Sequence, residues 1–280
     1  MFPEARIFVE KNSPEIKSAN WGARKGGMAA VHKSGPERLA QKMVYARSFI
    51  RKGHRSMPLA KQPDLNAPDF WEFFGAMLGD GCLSKYHVND REGARYCMLI
   101  TGNSKFDGEY FEHLKSLVKR LFGLDPYIRK EKRANVLRFV IHRRAAFEVL
   151  KSVGYPVGRK TDLSLPVQVI SLPWERKKVV IRGLFDTDGC IFARKDEEYR
   201  YPYIMITSAH EKLRKQLVEI LRKRGYPAYI HGDDVSVRGA ANSRRWMSDI
   251  GSSNPKIVKR HEEWNRTGRM FPLGGPIAQR

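Results

Sequence analysis

The sequence has 280 residues, of which 41% are hydrophobic and 11% aromatic, a composition typical of folded domains rather than of a disordered chain. Its 52 Lys and Arg residues outnumber its 30 Asp and Glu residues and give a formal net charge of +22, which predicts a polyanionic partner, nucleic acid first. An anionic membrane is the competing partner, but no apolar run approaches the roughly 20 residues that a spanning helix needs. The N-terminus also lacks a signal-peptide pattern, so we expect an intracellular protein, in cytoplasm, nucleoid or organelle matrix, that binds no membrane.

The three cysteines, Cys82, Cys97 and Cys190, are too few and wrongly spaced for a zinc cluster or a disulfide framework, and we expect them to be reduced and partly buried.

Residues 1–65 form a separate basic segment in which the loop-like stretch WGARKGGMAAVHKSGP precedes a predicted helix. Ser34 and Glu37 resemble a helix N-terminal capping box, and the amphipathic run ERLAQKMVYARSFIRKG follows, ending at Gly53. The segment is interpreted either as a basic, partly ordered arm or as an accessory DNA-contacting extension.

An internal repeat starts at about residue 66, where GAMLGDGC resembles the later GLFDTDGC. When Asp80 is aligned with Asp188, strand-like and amphipathic helical patterns follow both segments in the same order. The pattern predicts an α+β fold with two pseudo-symmetric αββαββα halves. The repeats are placed at residues 66–165 and 166–265, with a tail at 266–280.

Each duplicated segment is predicted to be a buried helix that ends at its last glycine. Gly75 and Gly79 lie four residues apart on one helix face, and their partners in the second copy are Gly183 and Thr187. Because each helical glycine costs about 1 kcal/mol relative to alanine, this stripe of small residues predicts that the two helices pack closely against each other.

If the two helices pack in parallel, Asp80 and Asp188 emerge together at their C-terminal ends. Two carboxylates at the negative ends of helices favour a hard divalent cation such as Mg²⁺, which accepts one or two carboxylates, waters and phosphate oxygens. A single Gly-Asp-Gly is often only a helix stop, but two copies in the same context argue for a site. In a basic protein, such a site predicts phosphodiester hydrolysis.

At these residues the sequence resembles the LAGLIDADG homing endonucleases. IRGLFDTDG at 181–189 and FFGAMLGDG at 73–81 match the family signature, and the resemblance covers about residues 66–265. Two copies in one chain are similar to the monomeric subclass, which cleaves long, nearly asymmetric DNA sites with divalent metal between the two motif helices. The resemblance implies a site-specific double-strand DNA endonuclease that acts as a monomer and uses Mg²⁺, for which Mn²⁺ should substitute.

The resemblance also implies roles for individual residues. The final acids of the two motifs, Asp80 and Asp188, would be the metal ligands and catalytic acids, with Gly79 and Thr187 beside them in the metal site. The earlier acid Asp186 is Leu78 in the first copy, and we interpret it as structural.

Two lysines are further catalytic candidates, although either could be an ordinary solvated side chain. GYPVGRKTDLSLP resembles the family segment that brings a basic residue to the edge of the active site, which indicates Lys160. GSSNPKIVKR aligns with it loosely and favours Lys256 over Lys259.

Antiparallel β-ribbons, one in each half, would form a DNA-binding saddle and lie in successive major-groove segments. Alternation in VLRFVIHRR places Leu137, Phe139 and Ile141 on one face and Arg138, Val140 and His142 on the other. The expected DNA-binding side chains are Lys85, Arg129, Lys130, Lys132, Arg133, Arg138 and His142 in the first half and Arg194, Lys195, Tyr229, His231 and Arg238 in the second.

Alternatives on the same scaffold are an intron maturase, for which structured intron RNA would be a partner, and a DNA- or RNA-binding protein that does not cleave. Loss of a motif acid would favour them, but both acids are present. A basic ribosomal or structural RNA-binding protein would explain the charge but not the repeated motif. Because the sequence begins Met1-Phe2-Pro3 and lacks intein-type ends, we expect a freestanding or intron-encoded protein.

Overall fold

The computed structural model describes residues 59, 61–87, 94–131 and 134–272. The helix predicted between Ser34 and Gly53 lies outside these residues, as do Lys132, Arg133 and the end of the C-terminal tail.

The first half follows the predicted order of helix, two strands, helix, two strands and helix. Its elements are α1 (Pro68–Leu78), β1 (Gly81–His87), β2 (Ala94–Asn103), α2 (Gly108–Phe122), β3 (Tyr127–Lys130), β4 (Val136–Ile141) and α3 (Arg144–Ser152).

The second half repeats that order and adds two helices that the sequence pattern does not predict, α4 before it and α8 after it. Its elements are α4 (Val167–Ile170), α5 (Trp174–Asp188), β5 (Gly189–Ala193), β6 (Pro202–Thr207), α6 (Glu211–Lys223), β7 (Tyr229–His231), β8 (Asp234–Arg238), α7 (Ala240–Asp249) and α8 (Pro255–Thr267). None of the helices in the described ranges is both long and apolar enough to cross a membrane.

Helix ends follow the local sequence. Pro68 occupies the first turn of α1, where its missing N–H and fixed φ cost nothing. At the start of α8, Pro255 follows Asn254, whose side chain accepts a hydrogen bond from the Lys256 backbone N–H. Helix α2 ends at Gly123, whose φ of 63° lies in the left-handed region that glycine adopts without strain.

The strands form two antiparallel four-stranded sheets with the same order, β1-β2-β4-β3 and β5-β6-β8-β7. In the first sheet Ile100 pairs with Phe139 and both are buried, and in the second Ile204 pairs with Val237 in the same way. The predicted alternation in β4 is confirmed, because Leu137, Phe139 and Ile141 are buried while Arg138 is exposed. Each sheet therefore has one face packed under helices and one less buried face, which we call the open face.

These features confirm the predicted α+β architecture of two pseudo-symmetric halves. The two halves share one hydrophobic core, in which α1 and α5 lie side by side and nine successive residues of α1, Phe70 to Leu78, are buried.

Candidate active site

Helices α1 and α5 approach each other closely enough for their backbones to touch. A Cβ added to Gly75 would lie 2.1 Å from the Val180 carbonyl oxygen, and one added to Gly183 would lie 2.1 Å from the Glu72 carbonyl oxygen. Only glycine fits at either position without moving the opposite helix. One turn further on, a Cβ at Gly79 would lie 2.0 Å from Thr187 Oγ1, so the stripe of small residues forms the contact between the two helices.

Asp80 and Asp188 lie at the adjoining C-terminal ends of these helices. A Cβ added to Gly79 would lie 3.1 Å from Asp188 Cγ, so the residue next to Asp80 touches the Asp188 side chain. Burial and the charge of Asp80 raise the pKa of Asp188 to about 7, against the opposing effect of Lys160. The Asp80 side chain reaches solvent, but protein surrounds it on its other sides, and this desolvation raises its pKa as well. The two carboxylates therefore repel each other in a partly desolvated site.

Lys160 lies at the end of α1, in a non-helical segment. Its ammonium donates to the carbonyl oxygens of Met77, Leu78 and Gly79 at 3.2, 2.7 and 2.5 Å. A cation at the negative end of a helix is favourable, and these carbonyls have no partner within the helix. Burial lowers the pKa of Lys160, while the charges of Asp188 and Asp80 oppose that shift. The lysine therefore places a positive charge beside the two acids.

Tyr155 supports the same helix end. Its buried hydroxyl lies within hydrogen-bonding distance of the carbonyl oxygens of Met77 and Gly81, and Lys160 Nζ lies 5.8 Å from the centre of its ring. Tyr155 thus fixes the turn that carries Asp80.

Asp186 holds the C-terminal end of α5 in place through hydrogen bonds, as Tyr155 does for α1. It is 2% exposed and accepts hydrogen bonds from the Ser252 hydroxyl and from the Ser253 backbone N–H at 2.9 Å. Its own carbonyl oxygen accepts from the Asn254 side-chain amide at 2.9 Å. Burial raises the pKa of Asp186 to about 7, against the opposing hydrogen bonds from the two serines. Asp186 thus ties the motif helix to the loop that begins α8.

Lys256 lies in the first turn of α8 rather than in a loop like that of Lys160. Its ammonium forms an ion pair with Asp107, at 2.9 Å from Oδ1. Both charges shift the pKa of Asp80: the Asp107 carboxylate raises it and the Lys256 ammonium lowers it. Lys259 instead forms an exposed ion pair with Glu109, at 2.8 Å.

A cleft of about 250 Å³ opens beside Asp188 and Lys160. Its lining includes Asp188, Lys160 and Gly79 together with Ser208 and His210. The cleft thus brings the motif helices next to the turn that precedes α6.

Three of the seven expected DNA-binding residues of the first half fall on the open face, and two others lie outside the described residues. Arg129 and Arg138 are direct cross-strand partners there and both are exposed, and His142 continues the same side of β4. Lys85 and Lys130 pair with Tyr96 and Leu137, which belong to the helix-covered face.

In the second half, Tyr203 lies on the open face, and its ring contacts two of the expected arginines, Arg194 and Arg238. The Arg194 and Arg238 guanidinium carbons each lie 5.1 Å from the centre of its ring, and Arg238 also pairs with Glu197. Lys195, Tyr229 and His231 are exposed. The two open faces therefore both carry basic side chains.

The oxygen atoms at the ends of α1 and α5 fit the divalent cation that the motif implies. Two carboxylates with raised pKa values suit a hard cation that also takes waters and phosphate oxygens, as Mg²⁺ does. No cluster of three or more His, Cys, Asp or Glu side chains suited to a metal exists in the described ranges, so the protein would supply few ligands. The Gly79 carbonyl oxygen, an expected neighbour of the metal, accepts a hydrogen bond from Lys160, and the Thr187 hydroxyl bonds within its own helix.

Sequence reasoning missed three residues of this site: Tyr155, Asp107 and His210. Tyr155 is five residues before Lys160 within the quoted segment GYPVGRKTDLSLP, which is a usable signal. Asp107 and His210 each precede the second helix of their half, a position that resembles an ordinary helix cap.

Residues 176–254 match the family model described as a LAGLIDADG-like domain. Over 221 residues, 71% of this chain, it is 24% identical to the replicative DNA helicase DnaB of Rhodothermus marinus, and it spans only 22% of that relative's length.

Solved structures are also similar. I-DmoI, in a complex with DNA and Ca, matches with a TM-score of 0.51 at 14% identity, over 70% of this chain and 97% of that one. The LAGLIDADG meganuclease I-AabMI, bound to uncleaved DNA, gives a TM-score of 0.45 at 12% identity over 73% and 94% of the two chains. The I-DmoI match shows a shared fold, and I-DmoI is a homing endonuclease. Residues 176–254 are therefore similar to the LAGLIDADG-like domain, and the chain as a whole shares the fold of I-DmoI.

Proposed function

We propose that the protein is a site-specific, divalent-metal-dependent DNA endonuclease that hydrolyses both strands of a long, nearly asymmetric duplex site as a monomer. The observation that carries this proposal is the pair of acids at the adjoining ends of α1 and α5. Asp188, with a pKa of about 7 caused by burial and by Asp80, is held where a cation would relieve the repulsion.

Lys160 supports this chemistry because it is held beside both acids by three backbone carbonyls. A divalent metal supplies an activated water and stabilises the leaving oxygen in phosphodiester hydrolysis. Asp80 and Asp188 would hold it, with Mg²⁺ as the expected ion and Mn²⁺ as a substitute. Lys160 would keep its proton and place positive charge next to the phosphate, where negative charge builds up.

Double-stranded DNA is the proposed substrate, which places the activity inside the cell. The net charge of +22 favours a polyanion, and I-DmoI, which shares the fold, is solved with DNA. The open faces offer pairs such as Arg129 and Arg138 in one half and Arg194 and Arg238 in the other. Arginine on a β-ribbon can reach base edges in a major groove or contact phosphates. Of the remaining exposed candidates, His142, Lys195, Tyr229 and His231 would add contacts on or next to these faces. Lys85 and Lys130, on the edge strands β1 and β3 of the first sheet, would add contacts beside the open face rather than on it.

A randomised-site duplex library tests the proposal. We expect the purified protein with Mg²⁺ to enrich one long cut sequence, and expect EDTA to abolish cleavage. Asp80→Asn and Asp188→Asn should each lose double-strand cleavage while keeping DNA affinity. Asp125→Asn, which removes a carboxylate that is 76% exposed and lies outside the site, is the matched control and should cleave normally.

Retained cleavage by either site variant would contradict the assignment of the acids. Binding without cleavage by the wild-type protein would instead favour a non-cleaving binder or a maturase, and the same protein would then be tested for binding to structured intron RNA. A cleavage rate that rises with the square of protein concentration would contradict action as a monomer.

A further inference from the structure

The two sides of the acid pair are built differently. On one side, the hydrogen bonds of the Lys160 ammonium within the described part of the chain all go to backbone carbonyls, those of Met77, Leu78 and Gly79. Its ammonium is therefore held in place but is not neutralised by a dedicated carboxylate.

On the other side Lys256 is paired with Asp107. The ammonium lies 2.9 Å from Asp107 Oδ1, and the two side chains are 28% and 15% exposed. Asp107 is itself fixed, because its other oxygen accepts the Asn103 backbone N–H at 2.6 Å. A positive charge held this way by a fixed, partly buried carboxylate presents less positive potential to a nearby phosphate.

The difference arises at one repeated position. Asp107 precedes α2 in the first half, and His210 precedes α6 in the second. Each faces the lysine of the opposite half: Asp107 pairs with Lys256, while His210 lines the cleft with Lys160 and Asp188. The pseudo-symmetric frame thus carries a carboxylate on one side and an imidazole on the other.

We infer that Asp107 is a positioning residue that holds Lys256 back, so that the strand on the Lys160 side is cut first and the strand on the Lys256 side second. This inference rests on the proposed endonuclease function. The reaction is the same on both strands: water oxygen bonds to phosphorus, one phosphorus–oxygen bond breaks, and the water's proton ends on the leaving oxygen. Only the positive charge available beside the phosphate differs, because the Lys256–Asp107 pair must open before Lys256 can act.

Asp107→Asn is the sharpest variant. Asparagine keeps one oxygen that can accept the Asn103 N–H but removes the negative charge. Glu109→Gln is a matched control, since Glu109 pairs with Lys259 at 2.8 Å and links the same two helices, α2 and α8. Both variants break one ion pair between these helices, but only the first acts beside Asp80.

The first assay uses a plasmid that carries the site recovered from the library, with the two strands labelled separately and Mg²⁺ at saturation. We expect the wild-type protein to accumulate nicked plasmid. Asp107→Asn should speed the second cut by about fivefold, whereas Glu109→Gln should leave both rates unchanged. Lys160→Met should slow mainly the first strand and Lys256→Met mainly the second, and Asp107→Glu should restore the delay.

A second readout needs neither metal nor DNA. Acetylation of individual lysines by acetic anhydride, followed by mass spectrometry of the metal-free protein, should show Lys256 reacting faster in Asp107→Asn and unchanged in Glu109→Gln. Equal rates for both strands, or a slower second cut in Asp107→Asn, would overturn the inference while leaving the endonuclease function intact. Absence of cleavage in every variant would overturn the proposed function, and the inference with it.

Discussion

Gly75→Ala is the most direct test of the contact between the motif helices. Its added Cβ would lie 2.1 Å from the Val180 carbonyl oxygen and 3.1 Å from the Leu184 nitrogen. Both neighbours belong to backbone inside a helix, so no side chain can rotate away. To restore even a short contact, α1 and α5 must move apart by about 1 Å at this level.

Two effects on stability oppose each other. Alanine is favoured over glycine in a helix by about 1 kcal/mol, whereas overpacking a tight core costs about 1–3 kcal/mol and occasionally more. Because the clash in Gly75→Ala is with backbone, we expect overpacking to win and the free energy of unfolding to fall by roughly 1–2 kcal/mol. For a folded unit of this size, each 1 kcal/mol corresponds to a Tm shift of about 2–4 °C.

The effect on cleavage should be larger than the effect on stability. Asp80 lies five residues beyond Gly75, so separating the helices also moves Asp80 relative to Asp188. A displacement of about 1 Å in a catalytic group can cost about 100-fold in rate, and we expect a loss of that order at temperatures where the variant is folded.

Gly108→Ala is the control for Gly75→Ala. Gly108 begins α2, and a Cβ there would meet no atom within 4 Å, so alanine should leave Tm unchanged or raise it slightly. Urea unfolding followed by circular dichroism, together with cleavage of the selected site, measures both effects. A Gly75→Ala protein as stable and active as Gly108→Ala would refute the close-packing argument.

Two further predictions concern stability in EDTA, measured by urea unfolding. Because the pKa of Asp188 is raised to about 7, the folded protein loses stability as pH rises from about 4 through about 7. Asp188→Asn should therefore be more stable than the wild type at about pH 8, by roughly 2 kcal/mol, a value reduced because the side chain is partly solvated. Below about pH 4 the two proteins should be equally stable. A variant that is equally or less stable than the wild type at about pH 8 would contradict this prediction. Tyr155→Phe should cost about 1–2 kcal/mol, because the Gly81 carbonyl oxygen loses the hydroxyl as its partner and the Met77 carbonyl oxygen keeps only Lys160. Tyr110→Phe should cost nothing, since the Tyr110 hydroxyl is buried and has no hydrogen-bond partner among the described residues; similar losses in both variants would count against the role of Tyr155.

The fold could be predicted from the sequence because its main features are local or repeated. Apolar periodicity marks helices such as α2 and α6, alternation marks β4, and two copies of one motif predict the pairing of the halves. Helix α8 was missed because GSSNP resembles a loop and its link to Asp186 runs through hydrogen bonds to Ser252 and Ser253. Those contacts depend on tertiary structure, which leaves no periodic pattern.

The candidate site was predictable only in its centre. Asp80 and Asp188 stand out because each ends a repeated motif. The Lys256–Asp107 pair joins residues separated by 149 positions, and neither residue type is unusual where it stands. Long-range electrostatic pairs of this kind become visible only in the three-dimensional structure.

The two halves differ at the ends of their motif helices. The end of α1 has Leu78 and is held by Tyr155 and Lys160, which bond its carbonyls from outside. The end of α5 has Asp186, which instead accepts hydrogen bonds from the loop before α8. A helix end that is fixed by a lysine brings a positive charge to the site, whereas one that is fixed through a buried carboxylate does not. The second half must therefore obtain its positive charge from α8, and Lys256 arrives there already paired with Asp107. The same frame thus holds two acids in equivalent places while surrounding them unequally, as the proposed cleavage of a nearly asymmetric DNA site would require.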